Sequence, residues 1–119
     1  MAFEYILANL LAETNAAGVL FLDGTGETVD VVCSDFTPYE MRVLGAYLGI
    51  YLKQVASSLE QWAMGRPKLV HVEKERLHIY ALPLPEGYYL VLVQRRPALV
   101  GKARIQLDRA AEQLVATLF

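Results

Sequence analysis

Apolar residues between positions 37 and 62 recur with the period of an α-helix and predict one long helix there. Thr37, Pro38 and Glu40 open it with the pattern of a capping box and a proline at the first helical position. At about 100° per residue, one stripe of the helix is apolar throughout and is predicted to be core. Its members are Met41, Leu44, Leu48, Leu52, Val55, Leu59 and Trp62.

The first half of this helix carries more apolar residues than one packing surface can cover. Val43, Tyr47, Ile50 and Tyr51 lie beside the core stripe. A second surface is needed to bury them, and it can belong to a partner molecule or to another element of the same chain. The sequence alone leaves both readings open.

Two glycines interrupt the long helix between its core stripe and its polar side. Gly45 and Gly49 each cost about 1 kcal/mol relative to alanine in a helix interior. We therefore expect another element to approach the helix backbone closely at these two positions.

Shorter patterns predict the other elements. Helical spacing indicates a first helix from Phe3 and a last one from Val100, and strands are predicted at 18–22, 28–33, 69–73, 76–82 and 88–93. The first and last of these strands are apolar without alternation, which implies burial on both faces. The result is a single domain, residues 1–119, with three α/β/α layers around an antiparallel sheet.

The third and fourth strands are predicted to form a hairpin around a two-residue turn at Lys74 and Glu75. This register places His71 directly opposite His78 and gives the hairpin one apolar and one half-polar face. A half-polar face is typical of an edge strand near solvent or a partner.

Composition narrows the class of protein. The 119 residues are 55% hydrophobic, which excludes disorder, and no apolar run reaches the roughly 18 residues of a membrane span. With no basic segment before the first apolar residues, we expect a cytoplasmic protein without membrane insertion. The single Cys33 has no internal disulfide partner, and its apolar setting predicts an inert buried thiol.

Charge is unevenly distributed although the net charge is only −2. The first 41 residues hold seven acidic side chains and no lysine or arginine. Arg95, Arg96, Lys102 and Arg104 form the densest basic group, but no aromatic residues are interleaved with it and the pI is near 5.6. The group is therefore interpreted as a solvated face or a protein-partner surface, and nucleic-acid binding is not expected.

No arrangement of residues predicts catalysis, a cofactor or a metal site. Gly24 and Gly26 flank a turn, but no Gly-Lys-Ser/Thr follows and the next element is a strand, so a phosphate-binding loop is rejected. His71 and His78 lack a third ligand and are interpreted as a cross-strand polar pair. No histidine is positioned with a serine or cysteine, so we expect a protein without an active site.

Several segments together resemble a known family. They are Gly18–Asp23 with its glycine turn, the long helix, Leu69–Glu73, the strand ending at Leu84, Tyr89–Val93 and Gly101–Ile105. In order and pattern the chain resembles the roadblock (dynein light chain) family, whose fold is also profilin-like. The resemblance implies five strands, with the central helix on one face and the terminal helices on the other. It also implies dimers in which central helices pair and third strands join.

This resemblance implies a homodimeric, non-catalytic regulator of a Ras-like small GTPase. A passive dimeric scaffold is the alternative, and a small-ligand sensor has weaker support because no polar residues converge on an obvious pocket. The expected dimer interface consists of Val43, Ala46, Tyr47, Ile50, Gln54, Leu69 and His71. The candidate residues for contacting the GTPase are Arg42, Arg95 and Arg96; an arginine entering its active site would change the rate on the order of a thousandfold.

Overall fold

The computed structural model describes residues 2–95 and 99–119, and its elements follow the predicted order. The helices are α1 (Ala2–Thr14), α2 (Pro38–Gln61) and α3 (Val100–Leu118). The strands are β1 (Gly18–Leu22), β2 (Thr28–Cys33), β3 (Val70–Glu73), β4 (Leu77–Pro83) and β5 (Tyr89–Arg95). A short 3-10 turn, Pro85–Gly87, leads from β4 into β5.

The five strands form one antiparallel sheet in the order β2-β1-β5-β4-β3. The two unbroken apolar strands, β1 and β5, are adjacent and interior, as predicted. Edge strands β2 and β3 are more exposed, because each lacks a strand neighbour on one side.

Helices cover both faces, which confirms the three-layer α/β/α architecture. On one face α1 and α3 pack against each other and against a core that contains Leu7, Phe21 and Leu107. On the other face α2 packs on a second core, and half-buried Cys33 lies at the margin of that core.

The long helix begins as predicted and ends one residue earlier than its apolar stripe. The Glu40 amide donates to the Thr37 hydroxyl (3.1 Å), and the Thr37 amide donates to the Glu40 carboxylate (2.9 Å). At the other end, the prediction that Trp62 lies in the core is wrong, since its side chain is 73% exposed. The backbone of Trp62 departs from helical geometry (φ −95°, ψ 11°), so its side chain no longer follows the stripe.

The glycines of α2 do allow close approach by other elements. A Cβ on Gly49 would lie 3.1 Å from the Cα of Gly26, in the β1–β2 turn, and a Cβ on Gly45 would lie 2.5 Å from a methyl group of Leu20. The turn is itself tightly held, because the Thr25 hydroxyl donates to the Asp23 carboxylate (2.6 Å) and lowers the Asp23 pKa. The expected compensation for two helical glycines is therefore present.

The β3–β4 hairpin differs from the predicted register by two residues. The Lys74 amide donates to the Leu77 carbonyl at 2.8 Å, so the turn is centred on Glu75 and Arg76. His71 therefore faces Tyr80, not His78. No glycine or asparagine marks the turn in this sequence, and a two-residue slip leaves each side chain on its predicted face, so the apolar pattern could not exclude it.

The half-polar face of the hairpin is also less open to solvent than predicted. His78 is 5% exposed and Tyr80 is fully buried. Of the two hairpin strands, β3 is at the edge of the sheet, and β4 lies inside it beneath the layer formed by α1 and α3. Of the strand residues on the half-polar face, His71 and Glu73 of β3 are therefore the ones exposed at the edge of the sheet.

Candidate interaction surface

The side of α2 that faces away from the sheet is apolar and exposed. Tyr47 is 72% and Ile50 60% exposed, and Val43 is 37% exposed. Ala46 and Gln54 are exposed on the same side of the helix. The structure thus brings together the five predicted interface residues of α2, and no other described element covers them.

Two aromatic residues that the predicted interface omitted extend this surface. Tyr39 is 76% exposed at the start of α2, and Tyr51 is 45% exposed near its middle. Tyr51 was already part of the wide apolar arc, whereas Tyr39, four residues before Val43, was considered only as part of the helix start.

The sheet beneath α2 is covered unevenly. The helix lies nearest β1 and β2, and the buried core beneath it extends to Val91 and Val93 of β5 and Ala81 of β4. Val70, Val72 and Leu77 belong to the same face but lie at the opposite side, where they are only half-buried. An apolar shelf formed by these three residues therefore continues the sheet face beyond the cover that α2 provides.

The other two predicted interface residues project from the opposite face of the sheet. Leu69 packs on the core shared with α1 and α3, and the exposed His71 ring stacks on Tyr80 at 4.4 Å between centroids. Leu69 and His71 can therefore share an interface with α2 only through the backbone edge of β3.

The two histidines form a hydrogen-bonded pair. Nε2 of His71 and Nδ1 of His78 lie 2.9 Å apart, although the residues are diagonal and not directly opposite. Partial desolvation of the ring, followed by the nearby His78 and Arg104, lowers the pKa of His71 below its usual 6.5. Within the described ranges, no three His, Cys, Asp or Glu side chains gather as a metal site would require.

The candidate arginines lie in different settings. Arg42 is exposed on α2. Arg95 donates to the Asp35 carboxylate at 3.0 Å and lies 4.9 Å over the Phe36 ring, so it ties the end of β5 to the segment before α2. Arg96 falls outside the described residues.

Sequence reasoning missed a buried polar group between α1, β5 and α3. Thr14, His78 and Gln94 are the buried polar residues of the described chain. Gln94 follows directly after the apolar run of β5, so the strand continues with a polar side chain into the core. That position, directly after an unbroken buried run, was the available signal.

The architecture is that of the roadblock class of domains. Solved structures show the same fold: Myxococcus xanthus MglB matches with a TM-score of 0.88 at 13% identity, over 97% of this chain and 93% of its own. An MglB with a tetrameric arrangement matches at 0.87 and 23% identity, over 96% and 85% of the two chains. A roadblock/LC7 domain from Streptomyces avermitilis matches at 0.85 and 14% identity, over 96% and 95%.

The protein therefore has a roadblock-like fold, similar to that of MglB. Profilin IA of Acanthamoeba castellanii is a more distant match, with a TM-score of 0.66 at 16% identity over the whole of both chains. No protein-family model and no curated protein matches the sequence itself. Among the described residues, no helix is long and apolar enough to cross a bilayer.

Proposed function

We propose that the protein is a homodimeric, non-catalytic regulator of a Ras-like small GTPase in the cytoplasm. The observation that carries the dimer is the exposed apolar side of α2, above all Tyr47 and Ile50. Contiguous apolar surface that is rimmed by polar residues is characteristic of protein–protein interfaces.

Sheet width explains why this surface needs a second helix. Strands lie about 4.8 Å apart and helices pack about 8–10 Å apart, so one helix covers about two strands. On this scale α1 and α3 cover most of one face, whereas α2 alone lies nearest β1 and β2 and leaves the β3 edge of the other face half-buried. The shelf of Val70, Val72 and Leu77 is the part of the sheet that remains for a partner.

A second copy of α2 is the partner that fits best. Its apolar residues cluster in the first half of the helix, so two copies crossing antiparallel near Ala46 would place Val43 of one opposite Ile50 of the other. Such a two-fold contact is self-complementary and closed. The outer edge of β3, with Leu69 and His71, offers unpaired backbone groups that a second β3 strand could join.

The GTPase partner is inferred from the roadblock resemblance and from the MglB-type fold. The described residues hold no convergent catalytic set, so the protein would act through different affinities for the conformations of the GTPase. Binding should then depend on whether GDP or GTP is bound. A passive scaffold, the alternative, has no such requirement.

The decisive experiment titrates the protein against a Ras-like GTPase from the same organism, loaded with GDP or with a non-hydrolysable GTP analogue. We expect tighter binding to the GTP form and a changed rate of hydrolysis or exchange. Equal affinity for both forms with unchanged turnover would eliminate the regulator in favour of the scaffold.

The role of arginine is tested separately with Arg42→Ala and, as a matched control on the same exposed helix, Lys53→Ala. We expect Arg42→Ala to weaken binding while the turnover of the fully bound GTPase stays within about tenfold. A loss on the order of a thousandfold would instead identify Arg42 as an arginine finger.

A further inference from the structure

His71 has an exposed imidazole that is held in one orientation at the edge of the sheet. Its ring stacks on Tyr80 at 4.4 Å between centroids, and its Nε2 lies 2.9 Å from Nδ1 of His78. His78 is only 5% exposed, so this contact fixes the inner side of the His71 ring, next to β4. Imidazole is the commonest side-chain ligand of metal ions in proteins.

This orientation directs the other ring nitrogen outward. Nδ1 and Nε2 point to nearly opposite sides of an imidazole ring. Because Nε2 of His71 faces His78 on β4, Nδ1 faces away from β4, towards the side of β3 that has no strand neighbour. When Nε2–H donates to His78, Nδ1 carries the lone pair that can bind a metal. A hydrogen bond from the second ring nitrogen is the usual device that orients a metal-binding histidine.

The proposed dimer would bring two of these nitrogens together. Opposite residues of antiparallel strands lie on the same face, and β3 has only four residues, Val70–Glu73. If a second β3 joins this edge with its helices on the same sides, any register centred between Val70 and Val72 places His71 opposite or diagonal to His71 of the second copy. The Cβ atoms are then about 5 or about 7 Å apart, a span that two imidazoles can bridge through one ion.

The charges near His71 act in both directions. Arg104 of α3 interacts electrostatically with His71 and opposes a cation. Glu73 is exposed on the same face, two residues further along β3, and brings a negative charge. A pair of chains thus supplies two imidazoles and two carboxylates, which are groups that zinc and related divalent ions accept as ligands.

We propose that Nδ1 of His71 from each of two chains binds one divalent transition-metal ion of the zinc type between the joined β3 edges. The Glu73 carboxylates offset its charge, and His78 is the positioning residue that orients each ligand. This inference rests on the proposed homodimer, because one chain supplies only one of the two imidazole ligands.

Zinc and magnesium test the proposal on the unmodified protein. Each ion is titrated by calorimetry at neutral pH, at a protein concentration where sedimentation shows the dimer. We expect one zinc ion per two chains and no binding of magnesium, because magnesium prefers oxygen ligands to imidazole. The chain has only two histidines, so ¹⁵N-histidine spectra assign the ligand atom. Zinc should shift the Nδ1 resonance of His71, while its Nε2 stays protonated.

Variants separate the ligand from the residue that orients it. His71→Gln should weaken zinc binding at least about tenfold, because it removes both imidazole ligands. His78→Leu should weaken it by a factor of about ten to one hundred, and His78→Gln, whose amide oxygen can accept the same hydrogen bond, should restore part of the loss. Cys33→Ser removes the single thiol of the chain and is the control, with unchanged zinc binding expected.

Sedimentation of the metal-free protein reports the dimer independently, so failures of the two proposals are distinguishable. A dimer that binds no zinc, that binds one ion per chain, or that binds zinc equally well as His71→Gln overturns the metal site and leaves the dimer intact. A zinc-induced shift at Nε2 of His71 in place of Nδ1 also overturns it. A chain that is monomeric with and without zinc overturns both proposals. The stoichiometry and the spectra use the unmodified protein, so the test stands even if His78→Leu does not fold.

Discussion

The two faces of the sheet carry similar apolar residues but are covered by helices to different extents. On the α1–α3 face, Leu7, Phe21 and Leu107 are fully buried within a core that two helices close. On the α2 face, Met41 and Leu52 are just as buried, yet Tyr47 and Ile50 on the same helix remain exposed. The first face is a core of the single chain, and the second combines a core with an exposed apolar surface, which we propose that a partner covers.

This difference separates two kinds of stability. Residues on the closed face contribute to folding of the single chain, whereas the exposed residues of α2 contribute only when a partner is present. The stability lost through a substitution should therefore depend on protein concentration on the α2 face and be independent of it on the α1–α3 face.

The largest expected effect is on the closed face. Phe21 is fully buried and packs its ring on Phe3 and Tyr88, at centroid distances of 5.7 and 5.4 Å. Phe21→Ala should lower the free energy of unfolding by about 3–5 kcal/mol at every protein concentration. Denaturant titration checks this, and a loss below about 1 kcal/mol would mean that the core is not closed as described.

On the α2 surface, Ile50→Ala should behave differently. Removing an apolar side chain from the proposed interface should weaken the dimer by about 2 kcal/mol, while the isolated monomer changes by less than about 0.5 kcal/mol. Thermal unfolding measured over a range of protein concentrations separates these terms. The unfolding temperature of the wild type should rise with protein concentration, and that of Ile50→Ala should begin to rise only at higher concentrations. Identical curves would show that Ile50 faces solvent.

A smaller effect is expected at the start of α2, which both kinds of stability require. Thr37→Ala removes the acceptor of the Glu40 amide and should cost about 1 kcal/mol. Thr117→Ala is the matched control, because that exposed hydroxyl bonds a carbonyl within α3 and caps no helix start. If the denaturant midpoints of the two variants agree, the capping box does not stabilise the helix.

The smallest expected effect is at the edge of the closed face. Because the pKa of His71 is lowered in the folded protein, the unfolded chain binds more protons below its ordinary value of 6.5. Stability should therefore decline as pH falls through that value, and His71→Gln should reduce the decline. A pH profile unchanged by the substitution would remove His71 as its source.

Structural features that depend on local sequence were predicted correctly more often than those that depend on tertiary packing. The helix start at Thr37 and the glycine contacts at Gly45 and Gly49 were predicted because capping chemistry and the cost of glycine act locally. The hairpin register was not, since a slip of two residues preserves both faces. Trp62 was misplaced because periodicity alone does not show where a helix stops.

The candidate surface was predicted in part for a similar reason. A wide apolar arc identifies Val43, Tyr47 and Ile50 whatever covers them. The burial of Gln94 was missed because it depends on the packing of α1 against the end of β5, although its place directly after the apolar run of β5 was a signal. Which side of the sheet α2 leaves open, at Val72 and its neighbours, likewise depends on tertiary packing and not on any single period.

The central claim, that the exposed side of α2 joins two copies of the chain, is tested most directly by sedimentation velocity of the wild type and Tyr47→Asp. The chain has a mass of 13.3 kDa, so the wild type should sediment as a particle of twice that mass at micromolar concentration. Tyr47→Asp should sediment as a folded monomer, because its charge would be desolvated without a partner at the centre of the interface. A wild type that is monomeric, or a Tyr47→Asp variant that remains fully dimeric, would contradict the account.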